Sequence, residues 1–431
     1  MAILKLAARN LLRNRRRTAI TLAAMIIGVG VMVVLRGFIN GQQHMMIENI
    51  IDGRLGAVQV HKAGYVKNVL TSPLTLDLAD SPELRAKLAA IDGVVAVAPR
   101  IEFGAMISTP DKAPPPEDGS PLPEAQQGKT SFFIAVGVDP KAEAKVTPRR
   151  HALVNQGRMF PNDDSEELVL NADFAVGLET AIHDPRQPLP PLEQRTALLA
   201  PDRDSALNGE NVVLGGTFPT FSPGDKRVGL APLALAQRLL RMEGRVTEYA
   251  LAVQPIERAD EVRDALKGAL GPEYEVHTWA ELFPFIKSLT GTQDFIFSVI
   301  SGVFLSVVLL GIVNAMLMSV LERTREIGTM LAVGMRRRKI VGLFLAEGLV
   351  IGLIGGLLGV AIGLLVVTWL HHVGLPLPAP GATAPSIIRP FVSNRFLISA
   401  AIGTPLGAAL ASLWPAWRAS RLRPVEALQS A

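Results

Sequence analysis

Few residues in this sequence have the types and spacing that chemistry needs. Gly128-Lys129-Thr130 ends like a phosphate-binding loop, but that loop's first glycine belongs at position 123, where Pro123 stands, so no glycine cradle forms. His371 and His372 are adjacent, with no cysteine or further histidine at a zinc spacing. No Gly-x-Ser-x-Gly elbow occurs. Glu347 is the one carboxylate inside the long apolar runs, too few for a proton or ion relay. Cysteine is absent, which removes disulfides and thiol catalysis. The residues thus predict a chain that is not an enzyme and needs no metal, catalytic residue or cofactor of its own.

The elements around these positions are those of a membrane protein. Of 431 residues 49% are hydrophobic, and the mean hydropathy is +0.31, yet enough polar sequence remains for a sizeable water-facing domain. The net charge of +4 and the pI near 9.4 come from basic residues beside apolar runs, so they report topology and predict no nucleic-acid partner. Phe295–Leu321 is uncharged over 27 residues, longer than the roughly 20 a helix needs to cross hydrocarbon. Residues 340–370 are apolar apart from Glu347, 18–38 are uncharged up to Arg36, and 396–417 are uncharged throughout. Four spans follow. Arg36, at the end of the first, is expected to snorkel to the interface.

Positive charge fixes the orientation. The loop 322–339 (ERTREIGTMLAVGMRRRK), the stretch 1–17 and the tail 418–431 are all rich in Arg and Lys, which places both termini and that loop in the cytoplasm. Residues 1–17 alternate apolar and basic positions at helical spacing, as an interfacial amphipathic helix does. No cleavage site follows the first span, so it reads as uncleaved.

Between 39 and 294 no run is long enough to cross a membrane, which leaves a soluble domain on the outer side. Strand patterns at Leu55–Lys62, Val94–Ile107, Val246–Gln254 and Tyr274–Thr278, with helices at Pro82–Ala90 (N-cap Ser81) and Arg258–Leu270, make two β-α-β units that bracket the domain. The middle, roughly 140–245, reads as an inserted second subdomain. The Pro-rich stretches 110–127 and 184–202 read as loops without regular structure, and 371–395 as an outer loop. The fold class is an α-helical membrane protein with four transmembrane helices plus a large extracytoplasmic α/β domain between helices 1 and 2.

Two patterns nominate contact surfaces. Gly348, Gly352 and Gly356, and again Gly355, Gly359 and Gly363, recur every four residues, as do Gly403 and Gly407, which lets helices approach closely in lipid. Four phenylalanines fall between 283 and 297 although aromatics are only 5% of the chain. Phe283, Phe285 and Phe295 with Phe38 and Ile39 are the candidate apolar route for a lipid-bearing substrate; membrane lipids are the competing occupant.

The hairpin NAMLMSVLERTREIGTMLAVGMRRRKI, the run FLAEGLVIGLIGGLLGVAIG and the tail WPAWRASRLRPVEALQ resemble the permease family that includes the lipoprotein-releasing LolC/LolE proteins, MacB and FtsX. ARNLLRNRRRTAITLAAMIIGVGV fits its start, and GAVQVHKAGY resembles LolE-type members. The resemblance implies a permease subunit of a type VII, mechanotransmitting ABC transporter in the bacterial inner membrane. ATP and Mg would be bound by a separate cytoplasmic ATPase (LolD/MacB-like), and a second permease chain would complete a homo- or heterodimer. Coupling to that ATPase is expected from Glu322, Arg323, Arg325, Glu326, Ile327, Gly328, Leu331 and Gly334. Lipoprotein extraction is the leading function; the alternatives are MacB-like export with a periplasmic adaptor and FtsX-like control of a cell-wall hydrolase.

Overall fold

In the structure, a computed structural model, residues 15–71, 74–113, 122–377 and 381–422 are described. The amphipathic helix expected over the first residues and most of the tail lie outside them. The chain divides into a helical unit (Met1–His44, Leu289–Pro376, Ile387–Ala431) and an α/β unit (Met45–Ser288, Leu377–Ser386).

Among the described residues four helices are long and apolar enough to cross a membrane: Arg15–Ile50, Pro284–Glu322, Arg337–Val373 and Asn394–Ser420. Each outruns its uncharged stretch, because backbone hydrogen bonding continues where hydrocarbon stops. The expected boundaries at 38, 295, 340, 370, 396 and 417 therefore mark apolar runs and not helix ends. The last span stays helical through Pro405 and Pro415.

The third span, Arg337–Val373, lies between the first and the fourth, with one glycine stack facing each. A Cβ on Gly348 would stand 2.0 Å from Ser412 Oγ, on Gly352 2.7 Å from Pro405 Cα, and on Gly356 3.1 Å from Thr404. The other stack meets the first span: Gly355 faces Met25, Gly359 faces Val29, and Gly363 faces Val33. Gly407 has only Leu309 Cδ2 at 3.4 Å, and Gly403 meets nothing within 4 Å. The expected contact role therefore does not extend to Gly403 inside this chain.

Ion pairs close both ends of the first and second spans: Arg17 Nη1 to Glu322 Oε2 at 2.8 Å, and Arg36 Nη1 to Asp294 Oδ1 at 2.7 Å. Arg17 and Arg36 are 19 residues apart, about 28 Å along a helix and close to the thickness of the hydrocarbon layer. Arg36 is thus not a lone snorkelling charge. Its guanidinium takes Asp294 and stands 5.2 Å from the centre of the Phe297 ring.

In the α/β unit the strands are β1 (Val58–Lys62), β2 (Leu78–Ala79), β3 (Val94–Ser108), β4 (Thr130–Val138), β5 (Gln156–Gly157), β6 (Glu167–Asn171), β7 (Thr196–Pro201), β8 (Leu207–Phe218), β9 (Val228–Pro232), β10 (Arg245–Val246), β11 (Glu248–Val253) and β12 (Tyr274–Thr278). The flanks meet in the antiparallel order β12-β1-β11-β3, with helices Pro82–Ala89 and Ala259–Leu270 as crossovers. That is the split β-α-β, ferredoxin-like order. Ser81 caps the first crossover helix by accepting from Leu84 N, and Leu88, Val262, Leu266 and Leu270 enter the core.

The middle of the chain is not a separate insertion over 140–245. β3 runs on into a ring of pairings, β3-β4-β9-β6-β8-β7 and back to β3, within one ten-stranded sheet. β7 lies inside the stretch expected to be loop. Its sequence TALLAP alternates, burying Thr196, Leu198 and Ala200 despite the surrounding prolines. The segment expected as outer loop over 371–395 also gives Leu377–Ser386 to this unit. Thr383 N and Ala384 N donate to Thr220 O, and Arg149 Nη2 donates to Pro385 O at 3.0 Å. Thr220 O thus satisfies two backbone N–H groups of a segment without regular structure of its own.

Charge is buried beneath the sheet. Arg100 makes bidentate bonds of 2.9 and 2.8 Å to Glu143 and lies 3.4 Å from Glu248. Burial raises the Glu143 carboxyl, but the Arg100 charge and hydrogen bonds outweigh it and hold the group below its ordinary range. Burial pushes Glu102 and Glu248 up, and holds Arg150 down to about 10. His61, stacked on Tyr65 with ring centres 4.6 Å apart, is held down to about 3 by burial, against the charge of Glu275.

Gly352→Leu should place side-chain atoms where Pro405 backbone stands, costing about 1–3 kcal/mol and lowering the thermal midpoint of the detergent-purified protein; Gly403→Leu should leave that midpoint unchanged. His61 stays neutral when folded and protonates near 6.5 when unfolded. Its contribution is therefore intact above 6.5 and falls as pH drops towards 3, with a limiting slope of about 1.4 kcal/mol per pH unit. Melts of His61→Gln between pH 6.5 and 4.5 should show a flatter profile than wild type.

Candidate functional site

The loop between the second and third spans folds into one short helix, Thr324–Ala332. Its start is pinned by Arg323, whose Nη1 donates to Glu347 Oε1 at 3.0 Å and whose Nε donates to Glu326 Oε2 at 3.2 Å. Glu347 is only 2% exposed. The lone carboxylate of the third span is thus a seat for this helix, which is why it is affordable in an apolar run. Ile327 belongs to the buried apolar cluster that includes Ile312, Met316, Val320, Phe344 and Ala416.

The helix ends in a Schellman turn. Gly334 has φ +90°, its N–H donates to Leu331 O, and Met335 N donates to Met330 O, each at 3.0 Å. A side chain at 334 would be strained in that left-handed conformation, so this glycine is required by the turn. Arg336 then caps the third span, and Arg337, Arg338 and Lys339 occupy its first turn, all exposed. Cations at a helix N-terminus oppose the macrodipole. Their placement therefore does not stabilise the helix.

The expected coupling residues separate into two sets. Arg325, Glu326 and Gly334 are exposed, joined by Val333, an apolar residue of the same loop, at 84% exposure. Ile327 and Gly328 are buried, so they seat the helix and cannot meet a docked surface; Leu331 is partly buried. Glu322 is engaged by Arg17, and Arg323 by Glu347.

The apolar candidates fall in both units. Phe38 and Ile39 are half-buried in the helical unit, where Phe295 is 70% exposed. Phe283 and Phe285 belong to the α/β unit; Phe283 has the Arg54 guanidinium 5.3 Å from its ring centre, and Phe285 is exposed. The α/β unit also holds a cleft of about 470 Å³ beside the ion pairs Lys112–Glu179–Lys129, lined by Thr109, Ile182, His183, Arg195 and Leu214. Nothing in the local sequence marks it, because its walls come from four separated segments. Among the described residues no group of His, Asp and Glu is arranged to hold a metal.

Residues 298–424, which include the short helix and its seat, match the FtsX-like permease C-terminal family, and residues 18–269 match the MacB-like periplasmic core domain. This chain belongs to the MacB/FtsX permease family. Neither matched region is an ATPase domain. This permease is 26% identical over 445 residues to the uncharacterized ABC transporter permease YknZ of Bacillus subtilis, covering 99% of this chain and 98% of that one. It is 26% identical over 450 residues to the macrolide export ATP-binding/permease protein MacB of Hyphomonas neptunium, covering 99% of this chain but 60% of MacB. With MacB of Bdellovibrio bacteriovorus the identity is 33% over 220 residues, 48% of this chain and 31% of that protein. The permease therefore spans about three fifths or less of these MacB relatives.

Proposed function

We propose that this permease is the membrane subunit of a mechanotransmitting type VII ABC transporter in the bacterial inner membrane, with both termini cytoplasmic and ATP and Mg bound by a separate ATPase. The observation that carries the reading is the helix Thr324–Ala332, clamped through Arg323 to Glu347 while Arg325, Glu326 and Val333 face outward. A rigid knob of this kind transmits force, whereas a flexible loop would absorb it. The spans supply little with which to line a pore: the third buries glycine faces, and its one carboxylate is committed to Arg323.

For the substrate, similarity along nearly the whole chain to a MacB named for macrolide export supports export, with the substrate met on the outer side. Extraction of lipoproteins is supported by the GAVQVHKAGY segment and by exposed Phe285 and Phe295. Acyl burial is worth about 0.8 kcal/mol per CH₂, so extraction requires an apolar protein surface along the route.

Val333→Asp with Arg325→Glu should abolish substrate-stimulated ATP hydrolysis by the reconstituted complex while leaving its thermal midpoint unchanged. Retained coupling would refute the docking role. A photo-crosslinker at Phe38 or Phe285 should capture lipoprotein without ATP and release it with ATP if extraction is the function; capture of phospholipid alone in both states would leave export as the reading.

A further inference from the structure

A groove of about 610 Å³ runs between the third and fourth spans. On each helix the lining residues fall at i, i+3, i+4 and i+7, from Gly342 to Leu349 on the third and from Leu406 to Leu413 on the fourth. All of them are Gly, Ala or Leu, so the walls carry no polar side chain. The two helices are antiparallel, since Gly348 faces Ser412 while Gly356 faces Thr404, and Gly342 and Leu413 therefore stand at the same end of the groove. The seven residues from Gly342 to Leu349 rise about 10 Å, which fits inside one leaflet, half of a hydrocarbon layer of about 30 Å.

At that end both groove faces run on into charge. Arg338 lies one turn before Gly342 on the third span, and Trp417 one turn after Leu413 on the fourth. The Arg421 guanidinium stands 4.0 Å from the centre of the Trp417 ring, so stacking holds a cation at the groove mouth. Arg338, Trp417 and Arg421 are all exposed. Among the described residues no carboxylate neutralises these arginines: the fourth span has none, and Glu347, the one acid of the third, is buried and paired with Arg323. An apolar slot one leaflet deep under two unneutralised guanidinium groups matches one kind of molecule, with an acyl chain at one end and an anion at the other. Guanidinium is also the side chain whose fork fits phosphate oxygens.

We propose that this groove is a binding site for an anionic phospholipid of the cytoplasmic leaflet. One acyl chain lies along the Leu345, Leu349, Leu410 and Leu413 walls, and the phosphate sits between Arg338 and Arg421, with Trp417 at head-group level. The leaflet rests on the reading that both termini are cytoplasmic; the groove and its charged mouth do not. A basic residue close to an anionic head group is worth about 1 kcal/mol, so two of them correspond to a preference of about 30-fold over a zwitterionic lipid.

The detergent-purified full chain, stripped of lipid and titrated with phosphatidylglycerol or phosphatidylcholine, is weighed by native mass spectrometry. Phosphatidylglycerol should bind first, at one per chain, and about 30-fold more tightly than phosphatidylcholine. Arg338→Gln with Arg421→Gln, both at exposed positions, should lower that preference at least tenfold. Arg337→Gln with Arg418→Gln removes the same charge from other faces of the same helices and should leave it in place. Ala346→Phe, which fills the groove, should reduce binding of both lipids. No preference in the wild-type chain, or an equal loss in the two arginine pairs, would overturn the site. The leaflet is read separately: the chain has no cysteine, so Arg421→Cys supplies the only thiol, and a membrane-impermeant maleimide should label it after cell lysis and not in intact spheroplasts. Labelling in intact spheroplasts with the lipid preference present keeps the site and removes the topology; labelling only after lysis with no preference removes the site and keeps the topology.

Discussion

Hydrocarbon gives helices no reason to hide leucine from lipid, so what holds spans together is close backbone approach and the few polar groups they carry. The helical unit depends on that constraint. Its third span has glycine on two faces, and each stack admits a different neighbour: Ser412, Ala408 and Pro405 of the fourth span on one side, Met25, Val29 and Val33 of the first on the other. The second span lacks such a stack and shows the most apolar surface.

Charges complete the assembly. Arg17–Glu322 and Arg36–Asp294 tie the first span to the second at positions set by the thickness of hydrocarbon, and Arg323–Glu347 ties the short helix to the third. A partly dehydrated pair gains more from Coulomb attraction than one in water, and leaving either partner alone would be costly. The short helix is consequently held at both ends, by Arg323 before it and by the Gly334 turn after it.

In the α/β unit the same accounting of polar groups operates in a water-facing protein. The long strand β3 gives its first half to the split β-α-β sheet and its second half to the ring that contains β7. Arg100, at the junction of the two halves, is satisfied by Glu143 and Glu248 from helix and strand, so the unit carries a charged centre in its interior.

Sequence alone determined the four spans, the class of the outer domain, its two bracketing β-α-β units, the Ser81 cap and the glycine faces. Each of these is written in local periodicity or in a residue's own backbone freedom. What it could not determine was partnership over long separations. Glu347 looked like an isolated carboxylate until Arg323 stood beside it, and Arg36 like a lone charge until Asp294, 258 residues away, met it. The strand β7 was hidden by flanking prolines because its pairing partners β3 and β8 lie far off in sequence. Gly403 and Gly352 have the same local signature, yet only one has a neighbour, because spacing fixes which face of a helix carries glycine and tertiary packing alone decides what that face meets.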